Sequence, residues 1–344
     1  MYSDIIKEGD VFRKEYKDGL DAFLKRKLGE ADERRSGFLV NCDFLNRLEE
    51  NRKSYLSMLG LDRIEECDLP ESELTRVGED ESAVIYRTRI YITPEIPQYG
   101  LLFVPHGISC APLIIAQHGG GGTPELCSDM NGKNNYNRMV RRLLERRAVV
   151  FAPQLLLWNF GEPLATQPKH DIPFKRQAVD RDLKRLGLSL TAVEIKGIMN
   201  ALDFLSRLDF IDGERIGMMG ISYGGYFTLH TMAADTRIKA GFSNACFNDR
   251  NVYTWNDWVY PNSANLFQDA EVAALCAPRK LYVAVGKEDE VFHYGSAVTE
   301  AERAKEYFKA AGCPQSFVFS LWDGGHTLPD TNEGIDFMFS ALAQ

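Results

Sequence analysis

The sequence predicts an α/β fold: a mostly parallel central sheet with helices on both faces, behind a helical N-terminal extension. Three observations carry this prediction. From residue 112 onward, short apolar runs alternate with stretches of helical period, the pattern of strands joined by crossover helices. Ahead of them, residues 82–92 alternate in the manner of half-buried antiparallel strands. The apolar run Ile216–Met219 then ends in Gly220-Ile-Ser-Tyr-Gly224, and a helical pattern opens at once behind it. A strand turned so abruptly into a helix pushes the central serine out above the sheet.

In chain order, Phe12, Tyr16, Leu20, Phe23, Leu24 and Leu28 fall at helical spacing on one face. A break is expected near Ser36-Gly37. Phe44, Leu45, Leu48, Tyr55, Leu56 and Leu59 then mark a second amphipathic helix that stops at Gly60. Residues 1–72 are therefore expected to form a helical extension packed on the core, with a subunit contact or a lid as the other reading. Residues 73–344 should form the α/β domain that holds the sheet.

Within that domain Val84, Tyr86, Thr88, Ile90 and Ile92 define one strand, and Leu101–Val104 its hairpin partner. Residues 112–116 form a short buried strand that runs into His118 and four glycines. Tyr136, Met139, Val140, Leu143 and Leu144 mark a helix, and residues 148–152 a strand. A long loop, about 154–188, carries Trp158, His170 and Asp171. Leu190 to Leu208 is helical, and the strand Ile216–Met219 follows. Further strands are expected at 239–243, 280–285 and 316–321, with helices around 301–311 and 335–342.

Composition narrows the function. Hydrophobic residues at 44% and charged residues at 26% describe an ordinary globular protein. A formal net charge of −9 speaks against a nucleic-acid surface. No signal-type segment and no span of about 18 apolar residues is visible, so no membrane partner is expected. The seven cysteines show no CxxC spacing and are expected to be free thiols in the cytoplasm. No cofactor and no metal is expected. The sequence leaves homo-oligomerisation open.

A serine hydroxyl needs a base beside it, and the base needs an anion to hold its tautomer. Such groups come from loops at the carboxyl ends of strands. After the strand ending at Gly286 stand Glu288, Asp289 and Glu290; Asp289 is the preferred acid and the glutamates are its alternatives. After the last strand, Asp323-Gly-Gly precedes His326, and two glycines let that loop turn back toward Ser222. Ser222, Asp289, His326 is the chain order used by one family of hydrolases and differs from both protease orders. His106, His170, His230 and His293 lack comparable settings. Backbone N–H groups must also meet the developing oxyanion. The glycine run offers Gly120 or Gly121, and the residue after the serine offers Tyr223.

These residues resemble the α/β-hydrolase superfamily over about residues 80–344. GISYGGY, HGGGG and DGGHT look like its dienelactone-hydrolase-like and acetyl-xylan-esterase-like branch, although true dienelactone hydrolases carry a cysteine where this chain has Ser222. The SYGGY core also resembles prolyl-oligopeptidase-type peptidases, which carry a β-propeller that the helical extension cannot build. The resemblance implies a serine carboxylic ester hydrolase of short acyl esters, including acetylated carbohydrate, with a small-molecule ester as its partner. A peptidase or aminopeptidase, and a non-catalytic binding protein, are the rival expectations. Trp158, Trp255, Trp258 and Trp322 are candidate pocket residues, since flat apolar faces bind sugar and aryl rings; ordinary packing explains them as well.

Overall fold

The computed structural model describes residues 2–40, 43–130, 132, 134–156 and 174–343. The N-terminal part is helical: α1 (Tyr2–Val40), α2 (Asp43–Asn46) and α3 (Leu48–Leu59). A nine-stranded sheet follows. It comprises β1 (Glu73–Glu79), β2 (Ala83–Thr93), β3 (Ile96–Pro105), β4 (Ala111–Gln117), β5 (Val149–Pro153), β6 (Ile211–Ile221), β7 (Ile238–Asn244), β8 (Lys280–Gly286) and β9 (Phe317–Trp322). Helices α4 (Pro124–Cys127) and α5 (Met139–Leu144) lie between β4 and β5. After β5 come α6 (Phe174–Arg185) and α7 (Leu190–Leu205), and α8 (Tyr223–Ala234) follows β6. Helices α9 (Ser263–Leu266) and α10 (Asp269–Ala274) precede β8, α11 (Tyr294–Ala310) precedes β9, and α12 (Glu333–Phe339) is last.

The strand order is β1-β2-β3-β5-β4-β6-β7-β8-β9. Strands β1, β2 and β3 pair antiparallel, as does β3 with β5; every later pairing is parallel. The chemistry of the strands explains this split. In β4, Leu113 and Ile115 enter one core while Ile114 and Ala116 enter the core on the opposite face, and all four are fully buried. Strands apolar on both sides need helices on both sides. Leu113, Ile114 and Ile115, fully buried, contribute about 1.5–3 kcal/mol each.

Two features of the helical extension depart from the sequence reading. Helix α1 passes unbroken through Ser36 and Gly37. Ser36 Oγ donates to the Asp32 carbonyl one turn back at 2.9 Å, and Phe38 packs on Phe44 with ring centroids 5.7 Å apart. Those contacts offset the roughly 1 kcal/mol that a mid-helix glycine costs. The start of the extension also does not cover the sheet: residues 2–30, apart from Gly9, are exposed. The part that packs is later. Tyr55 and Leu59 of α3 are buried, the Tyr55 hydroxyl meets His230 Nδ1 on α8, and Arg52 donates to the Leu275 carbonyl at 2.9 Å.

Candidate active site

Ser222 sits between β6 and α8 with φ 59° and ψ −121°. A non-glycine residue reaches that region only when its surroundings force it there. The force is visible. A Cβ on Gly220 would stand 2.5 Å from the Gln117 carbonyl oxygen, and one on Gly224 only 2.1 Å from it. Both glycines are dictated by the crossing of strand and helix. The Ser222 N–H donates to the Asn244 carbonyl at 2.9 Å, and its own carbonyl accepts from Tyr226 N at 2.9 Å, which starts α8.

The acid and the base come together at the ends of β8 and β9. His326 Nδ1 lies 2.9 Å from Asp289 Oδ2 and 3.1 Å from Oδ1. Asp289 Oδ1 also accepts the backbone N–H groups of Val291 and Phe292, each at 2.8 Å. Burial pushes this carboxyl's pKa up, but the bonds from His326 and Phe292 N–H outweigh it and leave the pKa below the ordinary value. Asp289 is thus an anion that fixes Nδ1 as the protonated ring nitrogen and leaves Nε2 able to take a proton. Glu288 and Glu290 are exposed. The two loops are bound to each other: Glu288 N donates to the Gly324 carbonyl, and Lys287 N to the Trp322 carbonyl, both at 2.9 Å.

Asn244, at the end of β7, ties this pair to the serine. Its side-chain amide donates to the Thr327 carbonyl at 2.9 Å while its own carbonyl holds Ser222 N. Among the described residues no hydrogen bond joins the Ser222 hydroxyl to His326, a common condition of catalytic pairs without substrate.

The glycine loop lies against the serine. A Cβ on Gly119 would be 3.2 Å from Ser222 Cβ. Gly119 N donates to the Tyr136 hydroxyl at 2.9 Å and Gly122 N to the Gly119 carbonyl at 3.0 Å. The N–H groups of Gly120 and Gly121 have no partner among the described residues, and Gly121 has φ +68°. Tyr223 N, in the first turn of α8, belongs to the N–H groups that a helix leaves without an internal partner. His118 is a brace here. Its Nε2 accepts from Leu155 N at 3.0 Å, so Nδ1 carries the proton and donates to the Gly119 carbonyl at 2.8 Å. Burial lowers its pKa to about 4.

The four tryptophans separate. Trp255 is half-buried, 5.7 Å from the Tyr223 ring and 5.4 Å from Phe292, whose ring is 5.8 Å from His326. Trp258 lies beneath it, buried and stacked on Tyr226 at 4.5 Å. Trp322 packs over Gly324, where a Cβ would meet its ring at 2.1 Å. Trp158, and with it Phe160, Glu162 and His170, lies outside the described residues. The remaining histidines stay apart from this arrangement: His230 is paired with Tyr55, His106 bonds the Asp80 carbonyl, and His293 is exposed.

Sequence reasoning missed a buried charge cluster beside Tyr223. Arg176 donates to both oxygens of Glu194 at 2.9 and 3.0 Å and to Asp257 at 2.8 Å, and its guanidinium lies 5.2 Å from the Tyr223 ring. The Tyr223 hydroxyl donates to the same Asp257 oxygen at 2.9 Å. Arg176 sits on α6, inside the stretch read as loop. That helix buries Arg176 and Asp180 rather than an apolar stripe, so hydrophobic periodicity cannot reveal it.

Residues 184–297, which include Ser222 and Asp289, match the prolyl oligopeptidase family. No curated protein matches the chain. Among solved structures it is similar to a Bacteroides fragilis protein assigned as an acetyl xylan esterase, with 15% identity, TM-score 0.65, and coverage of 86% of this chain and 82% of that one. It is also similar to a methylesterase, with 18% identity, TM-score 0.68, and coverage of 91% and 69%. A glucuronoyl esterase from Solibacter usitatus aligns at 16% identity and TM-score 0.60, covering 83% and 92%. The chain has the α/β-hydrolase fold.

Proposed function

We propose that this chain is a serine hydrolase that cleaves carboxylic esters of short acyl groups, acetylated carbohydrate among them, through an acyl-enzyme. The observation that carries the reading is the junction built by Asn244. One residue holds the strained Ser222 by its N–H and, through Thr327, the loop that bears the Asp289-paired His326.

In this reading His326 Nε2 takes the Ser222 hydroxyl proton as Oγ attacks the ester carbonyl. Asp289 steadies the imidazolium that forms. The carbonyl oxygen becomes an anion met by the N–H groups of Tyr223 and of Gly120 or Gly121. The C–O bond to the alcohol breaks, and the alcohol leaves with the proton from His326. Water then attacks the acyl-serine with His326 again as base, which releases the acid and restores Ser222. Each step uses groups already held in place, so little reorganisation accompanies the charge development.

Esterase names among the structurally similar proteins support ester over amide chemistry. The half-buried Trp255, between Tyr223 and Phe292, offers a flat apolar face to a sugar ring, with Trp258 as its support. The branch that resembles acetyl xylan esterases and dienelactone hydrolases is part of the same proposal. The match to the prolyl oligopeptidase family favours a peptidase as second reading. A peptidase that anchors an amine needs a carboxylate left open near the serine; Glu125 accepts from the Tyr99 hydroxyl on one oxygen, and Glu162 lies outside the described residues.

Hydrolysis of p-nitrophenyl acetate, p-nitrophenyl butyrate and a prolyl anilide by wild type and Ser222→Ala separates the readings. Cleavage of the esters by wild type alone is expected. Cleavage of the anilide alone would replace the esterase with a peptidase, and activity that survives in Ser222→Ala would remove the serine mechanism.

A further inference from the structure

We infer that residues 2–30 of α1 are a homodimerisation arm, in which two copies of this chain pair their helices antiparallel. Helix α1 has 39 residues, about 58 Å at 1.5 Å per residue. Among the described residues it is the last part of α1 that meets the rest of the chain. Ala31 and Arg35 are buried, Arg34 donates to Asn265 at 3.0 Å, and Phe38 packs on Phe44. The preceding residues are exposed except Gly9, yet they carry large apolar side chains.

Those side chains are not scattered. At about 100° per residue Phe12, Tyr16, Leu20, Phe23, Leu24 and Leu28 fall within one stripe about 160° wide, which also holds Arg13, Lys17 and Lys27 with half or more of each side chain in solvent. The same stripe runs on into Ala31, Arg35 and Phe38, the face that α1 sets against the body. An established packing face thus continues beyond the body with none of the described residues against it. The Lys14–Asp18 pair, 2.6 Å apart, lies on the opposite side of the helix and stays in solvent.

Area and charge identify the occupant as a second copy. Tyr2, Phe12, Tyr16 and Phe23 are 82%, 68%, 77% and 48% exposed. With about 150–250 Å² per aromatic side chain, these alone leave on the order of 500 Å² open on each copy. A two-helix seam that adds the leucines and isoleucines reaches the roughly 1,200–2,000 Å² of stable complexes. Residues 4–21 hold six acids and four bases, whereas residues 25–27 are Lys-Arg-Lys. An antiparallel pair centred between Tyr16 and Leu20 sets Arg26 of each copy beside Glu8 of the other, since both lie on the same flank of the stripe. A parallel pair would press the basic runs together. Glu8 forms no ion pair among the described residues, and Arg26 reaches only Glu30 on its own helix, so the two can meet across the seam. Residues 2–31 carry seven acids and seven bases, which removes the cationic bias an anionic lipid surface would need.

The test is the mass of the full chain in solution by sedimentation equilibrium, with far-UV circular dichroism and ester hydrolysis as measures of folding. Wild type should have twice the 38.9 kDa of one chain. Leu20→Asp with Phe23→Asp should give the single-chain mass with hydrolysis per chain unchanged. Arg26→Glu should weaken self-association at least tenfold, and adding Glu8→Arg should restore it. A wild type of single-chain mass at every concentration overturns the inference, as does a dimer that survives Leu20→Asp/Phe23→Asp. Failure of Glu8→Arg to restore association overturns the antiparallel register. A single-chain mass combined with sedimentation on anionic vesicles would make the arm a membrane contact instead.

Discussion

Asn244 and Thr327 are joined by a hydrogen bond of 2.9 Å from the asparagine amide to the threonine carbonyl, and this bond couples the histidine loop to the strand that anchors Ser222. Replacing Asn244 by Ala keeps the backbone bond to Ser222 and removes the side-chain one. Steady-state kinetics on p-nitrophenyl acetate should show kcat down about tenfold or more with KM nearly unchanged, since small misplacement of a catalytic group costs rate rather than binding. Stability should fall by about 1–2 kcal/mol in denaturant titration. An unchanged kcat would mean that the histidine loop holds its place without this bond.

Asp289→Asn keeps an acceptor for the N–H groups of Val291 and Phe292 but gives the His326 ring no anion and permits the wrong tautomer. The loss in kcat should be about 10³–10⁴-fold. Glu288→Gln and Glu290→Gln, at exposed positions on the same loop, should stay within about twofold of wild type. A large loss in either glutamine variant would shift the acid role away from Asp289.

His118 ties acid sensitivity to the glycine loop. Its folded-state pKa of about 4 is below the ordinary 6.5 because burial disfavours the cation. The unfolded chain therefore binds the proton first as pH falls. Stability from this residue is fully present above about pH 6.5 and is lost as pH drops toward 4, by about 3 kcal/mol across the window. His118→Gln should show a flatter dependence of unfolding free energy on pH between 7 and 4.5, together with reduced kcat. Equal slopes for the two proteins would contradict the buried neutral imidazole.

Arg176→Met leaves Glu194 and Asp257 buried without their cation. Burial already pushes the Glu194 pKa up even with Arg176 present. Breaking such a cluster on one side costs about 3–5 kcal/mol, measurable by chemical denaturation. Activity should fall as well, because the Tyr223 hydroxyl shares Asp257 with Arg176. A variant as stable as wild type would show that the cluster contributes nothing net.

What the sequence disclosed follows from what leaves a local mark. The elbow at Ser222 needs two glycines beside a strand, and the loop of His326 needs two more, so both stand out in the chain. The parallel strands are apolar on both faces and read as short continuous runs. Asn244, Tyr136 and Arg176 leave no such mark. Each is a single polar residue whose partner leaves no local pattern beside it: Thr327 for Asn244 and Asp257 for Arg176, 83 and 81 positions on, and for Tyr136 the N–H of Gly119, 17 positions back. Helix α1 misled in another way. A serine and a glycine in sequence suggest a stop, but Ser36 bonds back within the helix and the residues after Gly37 gain tertiary contacts that a linear reading cannot weigh.

The most direct test of the catalytic proposal is intact-protein and peptide mass spectrometry after exposure to a fluorophosphonate, which phosphonylates a serine only where a base and an oxyanion site act on it together. The account predicts one adduct per chain on the peptide that contains Ser222, none on Ser222→Ala, and labelling slowed at least a thousandfold in His326→Ala. An unlabelled wild type, or an adduct that persists in Ser222→Ala, would contradict it.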